Sequence, residues 1–256
     1  MMLKDKVVAL YGAGGAVGTQ ASRVFGEQGA KVYAADRDAT KIEAGHTADQ
    51  ANVDALSEEQ VSAHLASVVR QSGRIDVVLN CVGSNPADYM HGHPAVELSL
   101  EQFMVAQGTS LATQFVTAKH AFPHMEKQKS GVVVFLTSTL AKVGSPHSAA
   151  LTAAHAGAEG LVRSLAREWG PAGVRVLGVR SEAMPESDLI KYTFGKMGDQ
   201  LGLSFAEMQR HIEGLLAIPK LPSATDTAGV LAFAASDLAG HMTGTVLNQS
   251  NGHVLE

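Results

Sequence analysis

The sequence predicts an α/β protein built on a doubly wound parallel sheet of about seven strands, with helices on both faces. Three observations carry this. Short, continuous apolar runs recur along the chain and alternate with segments whose apolar residues return at helical spacing. The first run ends in a glycine cluster that passes directly into a helical pattern. No proline-, serine- or glycine-rich linker divides the 256 residues, so a single domain spanning 1–256 is expected.

Lys6–Tyr11 is a short apolar run ending at glycine, as a strand buried on both faces should read. Val17, Ala21, Val24 and Phe25 then mark one face of a helix, which Gly29 stops. Lys31–Ala35 reads as the next strand, Ser57–Gln71 as a helix and Ile75–Cys81 as a strand. Leu98–Lys127 holds a long helix with room for a break, and Val132–Thr137 is strongly strand-like. Ala149–Trp169 is Ala-rich and helical, closed by Gly170-Pro171, and Val174–Val179 is another strand. A helix over Thr225–Ala235 and a strand over Thr245–Asn248 complete the order. Alternating strands and helices imply right-handed crossovers, with ligands at the carboxyl ends of the strands.

Composition narrows the function classes. The formal net charge of −5, with acids and bases interspersed, argues against a nucleic-acid partner. No apolar run is long enough for a membrane helix, and Met1–Lys6 leads into a strand rather than a secretion signal. The single cysteine, Cys81, cannot form an internal disulfide, which suits a reducing compartment and a cytoplasmic location.

The turn Gly12-Ala13-Gly14-Gly15-Ala16-Val17-Gly18 follows the first strand and opens the first helix. Glycines let a backbone approach a pyrophosphate, and helix-start N–H groups favour its charge. Gly12, Gly15, Val17 and Gly18 are therefore candidate cofactor-binding residues. Asp36 ends the second strand, where a carboxylate accepts hydrogen bonds from adenosine ribose hydroxyls and repels a 2′-phosphate. NAD is expected over NADP; Arg37 can grip a 2′-phosphate, but the turn offers no second basic group.

These stretches resemble the short-chain dehydrogenase/reductase family over nearly the whole chain. The family's T-G-x-x-x-G-x-G is similar to Tyr11–Gly18, with Ala16 in place of the middle glycine. Its adenine-side D-V resembles Asn52-Val53, and its N-N-A-G resembles Asn80-Cys81-Val82-Gly83, which adds Asn52, Val53, Asn80, Cys81 and Gly83 to the cofactor candidates. Ala235-Ser236-Asp237, Thr243-Gly244 and Leu247–Gly252 are similar to its closing motifs, with Asn251 for one glycine. The resemblance implies a Rossmann-like fold, a nicotinamide cofactor, a carbonyl or alcohol substrate, and a homodimer or homotetramer built through the long helices.

The departures are concentrated at the chemical end. The family carries a serine and then Y-x-x-x-K on a helix; here Ser138 matches the serine, but Leu151 and His155 stand at the tyrosine and lysine positions. Leucine has no titratable proton, so the usual proton transfer cannot run through residue 151. Ser138 and His155 are the catalytic candidates, His155 as a ribose hydrogen-bond donor or as an acid in its own right. A Ser138–His155 nucleophilic pair lacks an orienting acid and an oxyanion site. Ser110 falls where the family's relay asparagine stands, and Ser181-Glu182 where it has P-G beside the nicotinamide. His147 and Lys142 are within sequence reach of the cleft. His91-Gly92-His93 reads as a solvated loop rather than a metal site, because no nearby acid or cysteine completes a ligand set.

Residues 183–222 fall where the family places its substrate lid and are rich in large apolar side chains interrupted by glycines. They suit an apolar ligand, or simply pack the lid on the core. Two functions follow: an oxidoreductase with an atypical site, or a catalytically inactive NAD-binding or scaffold subunit on the same fold.

Overall fold

The computed structural model describes residues 1–83 and 85–256. Its elements run β1 (Val7–Tyr11), α1 (Ala16–Glu27), β2 (Lys31–Asp36), β3 (Asp49–Asn52), α2 (Glu58–Ser72) and β4 (Val77–Asn80). Next come α3 (Leu100–Gln107), α4 (Thr113–Gln128), β5 (Gly131–Ser138), α5 (Leu140–Val143), α6 (Ala149–Trp169) and β6 (Val174–Ser181). Helices α7 (Asp188–Leu201), α8 (Phe205–Glu213) and α9 (Ala224–Ala235) precede β7 (Val246–Gln249). The strands form one sheet in the order β3-β2-β1-β4-β5-β6-β7, and every neighbouring pair is parallel.

Alternation within each strand explains the two cores. In β1, Val7, Ala9 and Tyr11 point to the face covered by α2, α4 and α6, where Leu65, Met125 and Trp169 pack. Val8 and Leu10 point the other way, onto Phe25 of α1 and Leu231 of α9. Both faces being dry, the strands read as unbroken apolar runs.

The winding reverses between β1 and β4, the position at which open parallel sheets bind their ligands. Two glycines make the approach possible there. Gly12 has φ +75°, and a Cβ on it would lie 2.6 Å from the Val82 nitrogen. A Cβ on Gly18 would overlap the Gly12 carbonyl oxygen.

One element differs from the sequence expectation. Strand β3, D-Q-A-N, carries no apolar run because it is the exposed sheet edge. The long helix carries the break the sequence left room for, a wide turn at Gly108–Ala112 where Ser110 is only 4 % exposed.

Candidate active site

A cavity of about 690 Å³ lies above the carboxyl ends of β1, β4, β5 and β6. It runs from the glycine turn (Gly14, Gly15, Val17) past Cys81 and Gly83 to Ser138, Leu151 and His155. The far wall is the segment of α7 and α8, which contributes Leu189, Ile190, Phe194, Met197 and Ile212. Phe194 also joins Met208, Leu216 and Leu221 in a small core of that segment, so its apolar residues serve both the wall and their own packing.

The cofactor candidates divide into three groups. Gly15, Val17, Cys81 and Gly83 line the cavity. Gly12, Gly18 and Asn80 shape it from beneath. The Asn80 Oδ1 accepts the Val82 N–H at 2.8 Å, and its Nδ2 donates to the Thr117 hydroxyl at 3.2 Å. Asp36, Arg37, Asn52 and Val53 stand apart from the cavity, at the ends of β2 and β3. The Asp36 Oδ2 accepts the Gly14 N–H at 3.0 Å, which ties the acid to the turn. The Val53 N–H donates to the Asp36 carbonyl, and the Asn52 Oδ1 accepts the Ala39 N–H. Arg37 is exposed. The turn itself carries no second basic group, but Lys41 from the following segment packs against it, its Cβ 2.7 Å from where a Cβ on Gly14 would fall. The Lys41 ammonium sits 3.9 Å from Asp38, whose carboxyl is held low by the Thr40 hydroxyl and, more weakly, by Lys41.

At the other end, Ser138 is the last residue of β5, and its Oγ accepts the Leu140 N–H at 3.3 Å. Leu151 is 4 % exposed and packs in an apolar cluster with Tyr89 and Ala150. His155, one turn further along α6, presents its ring to the cavity while its Nδ1 is buried without a partner. Burial pushes its pKa down to about 4; the Glu159 carboxylate works against this and His91 reinforces it. At neutral pH this imidazole is uncharged, unlike an ammonium at the same position.

Three features escaped the sequence reading. His91 is not solvated: it is buried, lines the cavity, and has an unpartnered Nδ1 of its own. Its pKa also falls to about 4 through burial. An orphaned buried polar atom costs about 1–3 kcal/mol, and both rings carry one while their residues line the cavity. His93, the neighbour, fits the expectation better, lying 3.6 Å from Glu97 at the surface. Second, Glu182, which the resemblance placed beside the nicotinamide, forms part of the cavity wall, and the groups that hold it were not foreseen. Its Oε1 accepts the Ala183 N–H at 2.9 Å and its Oε2 meets the His253 Nδ1 at 2.7 Å. Third, Arg180 pairs with Glu159 behind the site, a link that two isolated charges in apolar segments only hint at. Among the described residues no cluster of three potential metal-ligating side chains occurs, and no helix is long and apolar enough to cross a membrane.

A seven-stranded parallel sheet, a glycine turn at its switch point and a serine ending β5 above a long helix define a nicotinamide-type oxidoreductase scaffold. The chain belongs to the short-chain dehydrogenase/reductase family: residues 12–253 match the family model described as enoyl-(acyl carrier protein) reductase. It is 27% identical to an uncharacterized oxidoreductase of Thermotoga maritima over 98% of each chain. It is also 27% identical to cis-4-hydroxycyclohexanecarboxylate dehydrogenase of Sinomonas cyclohexanicum, over 97% of this chain and 96% of that one. Among solved structures, NAD⁺-bound xylitol dehydrogenase shares the fold, with a TM-score of 0.86 at 22% identity over 97% and 98% of the two chains.

Proposed function

We propose that this chain is a working NAD(H)-dependent oxidoreductase for a small carbonyl or alcohol substrate, with Ser138 and His155 at the reacting end. The observation that carries this reading is continuity: one cavity joins the glycine turn to Ser138 and His155. The turn suits a dinucleotide. Helix α1 is N-capped by Gly15 with no side-chain cap and no acid in its first turn, and Gly15, Ala16 and Val17 line the cavity, which leaves its N–H groups uncompensated there. Asp36 supports NAD over NADP, and Lys41, directed toward Asp38, is the group to watch for the opposite preference.

When bound, the nicotinamide supplies or accepts a hydride. In this reading Ser138 donates its hydroxyl hydrogen to the substrate oxygen and orients it. His155, neutral at physiological pH, hydrogen-bonds a ribose or substrate hydroxyl and can accept a proton during alcohol oxidation. The apolar wall of α7 and α8 acts as the lid of a single domain covering 1–256, over about residues 183–222, and keeps water from the reacting end. The exposed apolar side chains of Leu100, Met104 and Phe115 on α3 and α4 support a homodimer or homotetramer. The free Cys81 supports a cytoplasmic location.

Calorimetric titration with NADH, NAD⁺ and NADPH tests the reading, with Asp36→Ala alongside. Selective NAD(H) binding that weakens in the variant supports it. Absence of binding to all three defeats it and favours a non-catalytic subunit, in keeping with the leucine at position 151.

A further inference from the structure

We propose that the substrate is uncharged, an apolar alcohol or ketone whose oxygen is held between the imidazoles of His91 and His155. This deepens the oxidoreductase reading above and rests on it.

Charge is the first argument. Among the described residues lining the cavity there is no lysine and no arginine, whereas Glu43, Glu182, Glu186 and Asp188 all line it. Glu182 at the reacting end is fixed by His253, and Glu186 accepts the Ala224 N–H. A carboxylate, phosphate or thioester-carrier substrate would meet the Glu182 carboxylate at this end, with no lysine or arginine lining the cavity to offset it.

Unmet hydrogen bonding is the second. The His91 and His155 Nδ1 atoms are buried without partners, and so is the Oε1 of Gln114, whose amide nitrogen is spent on the Ser110 and Leu136 carbonyls. All three residues line the cavity. Neutral imidazole offers one donor and one acceptor, so a hydroxyl or carbonyl satisfies the pair without carrying charge.

The third argument is placement. Tyr89, two residues before His91, packs in the cluster with Leu151, so this loop lies over the position where the chain lacks a proton donor. The loop is pinned from two sides: the Gly92 N–H donates to the His147 carbonyl, and the Gln200 side chain donates to the Gly92 carbonyl. In oxidation the substrate O–H and C–H bonds break and a C=O bond forms. The hydride passes to oxidised nicotinamide dinucleotide, and the proton passes to an imidazole nitrogen and on to water.

The test uses histidine-labelled full-length protein saturated with NADH, with cyclohexanol as a non-reacting probe and 4-hydroxycyclohexanecarboxylate as its anionic counterpart. Cyclohexanol is expected to shift the His91 and His155 imidazole resonances, and to bind at least tenfold more tightly than the carboxylate. His91→Leu should weaken cyclohexanol at least tenfold while NADH affinity stays within twofold, which also shows that the variant folds. Equal or tighter binding of the carboxylate, or imidazole signals that neither probe moves, overturns the proposal. If NADH itself does not bind, the dinucleotide reading has failed instead.

Discussion

Arg180 and Glu159 meet as a two-point ion pair sealed between β6 and α6. The Arg180 Nε lies 2.7 Å from Glu159 Oε1, and its Nη2 lies 2.9 Å from Oε2. The remaining guanidinium nitrogen reaches Glu256, which also holds Lys142 at 3.2 Å. Glu159 is one helical turn from His155, and Arg180 directly precedes the Ser181-Glu182 pair, so this bond fixes two walls of the cavity to each other.

Removing one partner of that pair strands the other. Arg180→Met should lower stability by about 3–5 kcal/mol, while Arg180→Met with Glu159→Leu should recover most of the loss, because two apolar side chains need no compensation. Urea unfolding midpoints of the three proteins decide it; a double variant as damaged as the single would contradict it.

Stability should fall as pH drops below neutrality, in part through His64. This ring is buried beneath the sheet, 3.0 Å from the Tyr11 hydroxyl, and burial depresses its pKa from 6.5 to about 4 despite the Asp49 charge. The unfolded chain takes up a proton below pH 6.5 that the folded chain refuses until about pH 4. The contribution is therefore complete above 6.5 and is lost across that window, reaching about 3 kcal/mol. In His64→Gln the slope of stability against pH should flatten by about one proton. An unchanged slope between pH 6.5 and 4.5 would count against the assignment.

Cofactor preference should turn on two side chains at the glycine turn. Asp36→Arg removes the carboxylate that bonds Gly14 and places a second cation near Lys41. The NADPH-to-NADH affinity ratio should rise about tenfold or more, the scale of one charge-assisted hydrogen bond gained. Calorimetry with both dinucleotides reads this directly, and a ratio unmoved would place the ribose elsewhere.

Gly18→Ala should be more damaging than its size suggests. The added methyl overlaps the Gly12 carbonyl, and backbone cannot yield as a side chain would. A loss of about 1–3 kcal/mol is expected in thermal or urea unfolding, with dinucleotide binding weakened alongside. Gly15→Ala is the control for stability, since its Cβ would meet only the Gly12 oxygen at an ordinary 3.5 Å.

How much was readable in advance follows from where the information resides. The central strands announced themselves because they are buried on both faces; Ala149–Trp169 was read to the residue because its alanine-rich pattern and Gly-Pro stop are local. Strand β3 left no trace, since an exposed edge strand needs no apolar residues and draws its structure from pairing with β2. That residue 151 is a leucine where the short-chain family resemblance implies a tyrosine came from the motif match and not from any local pattern around Leu151. His91 was misjudged because its neighbours do not reveal its roof. That roof comes from α7, more than a hundred positions away, and from the segment before α6. Glu182 and His253 likewise lie 71 positions apart and show no mutual signal.

The hydrogen bond from Gln200 to the Gly92 carbonyl couples two events. Helix α7 forms the roof of the cavity, and the same helix grips the segment that carries His91. Swinging that roof aside to admit a guest would break this grip and loosen the imidazole. Entry and chemical readiness would then be sequential, with the ring reset only after the door has shut behind the molecule it is to handle.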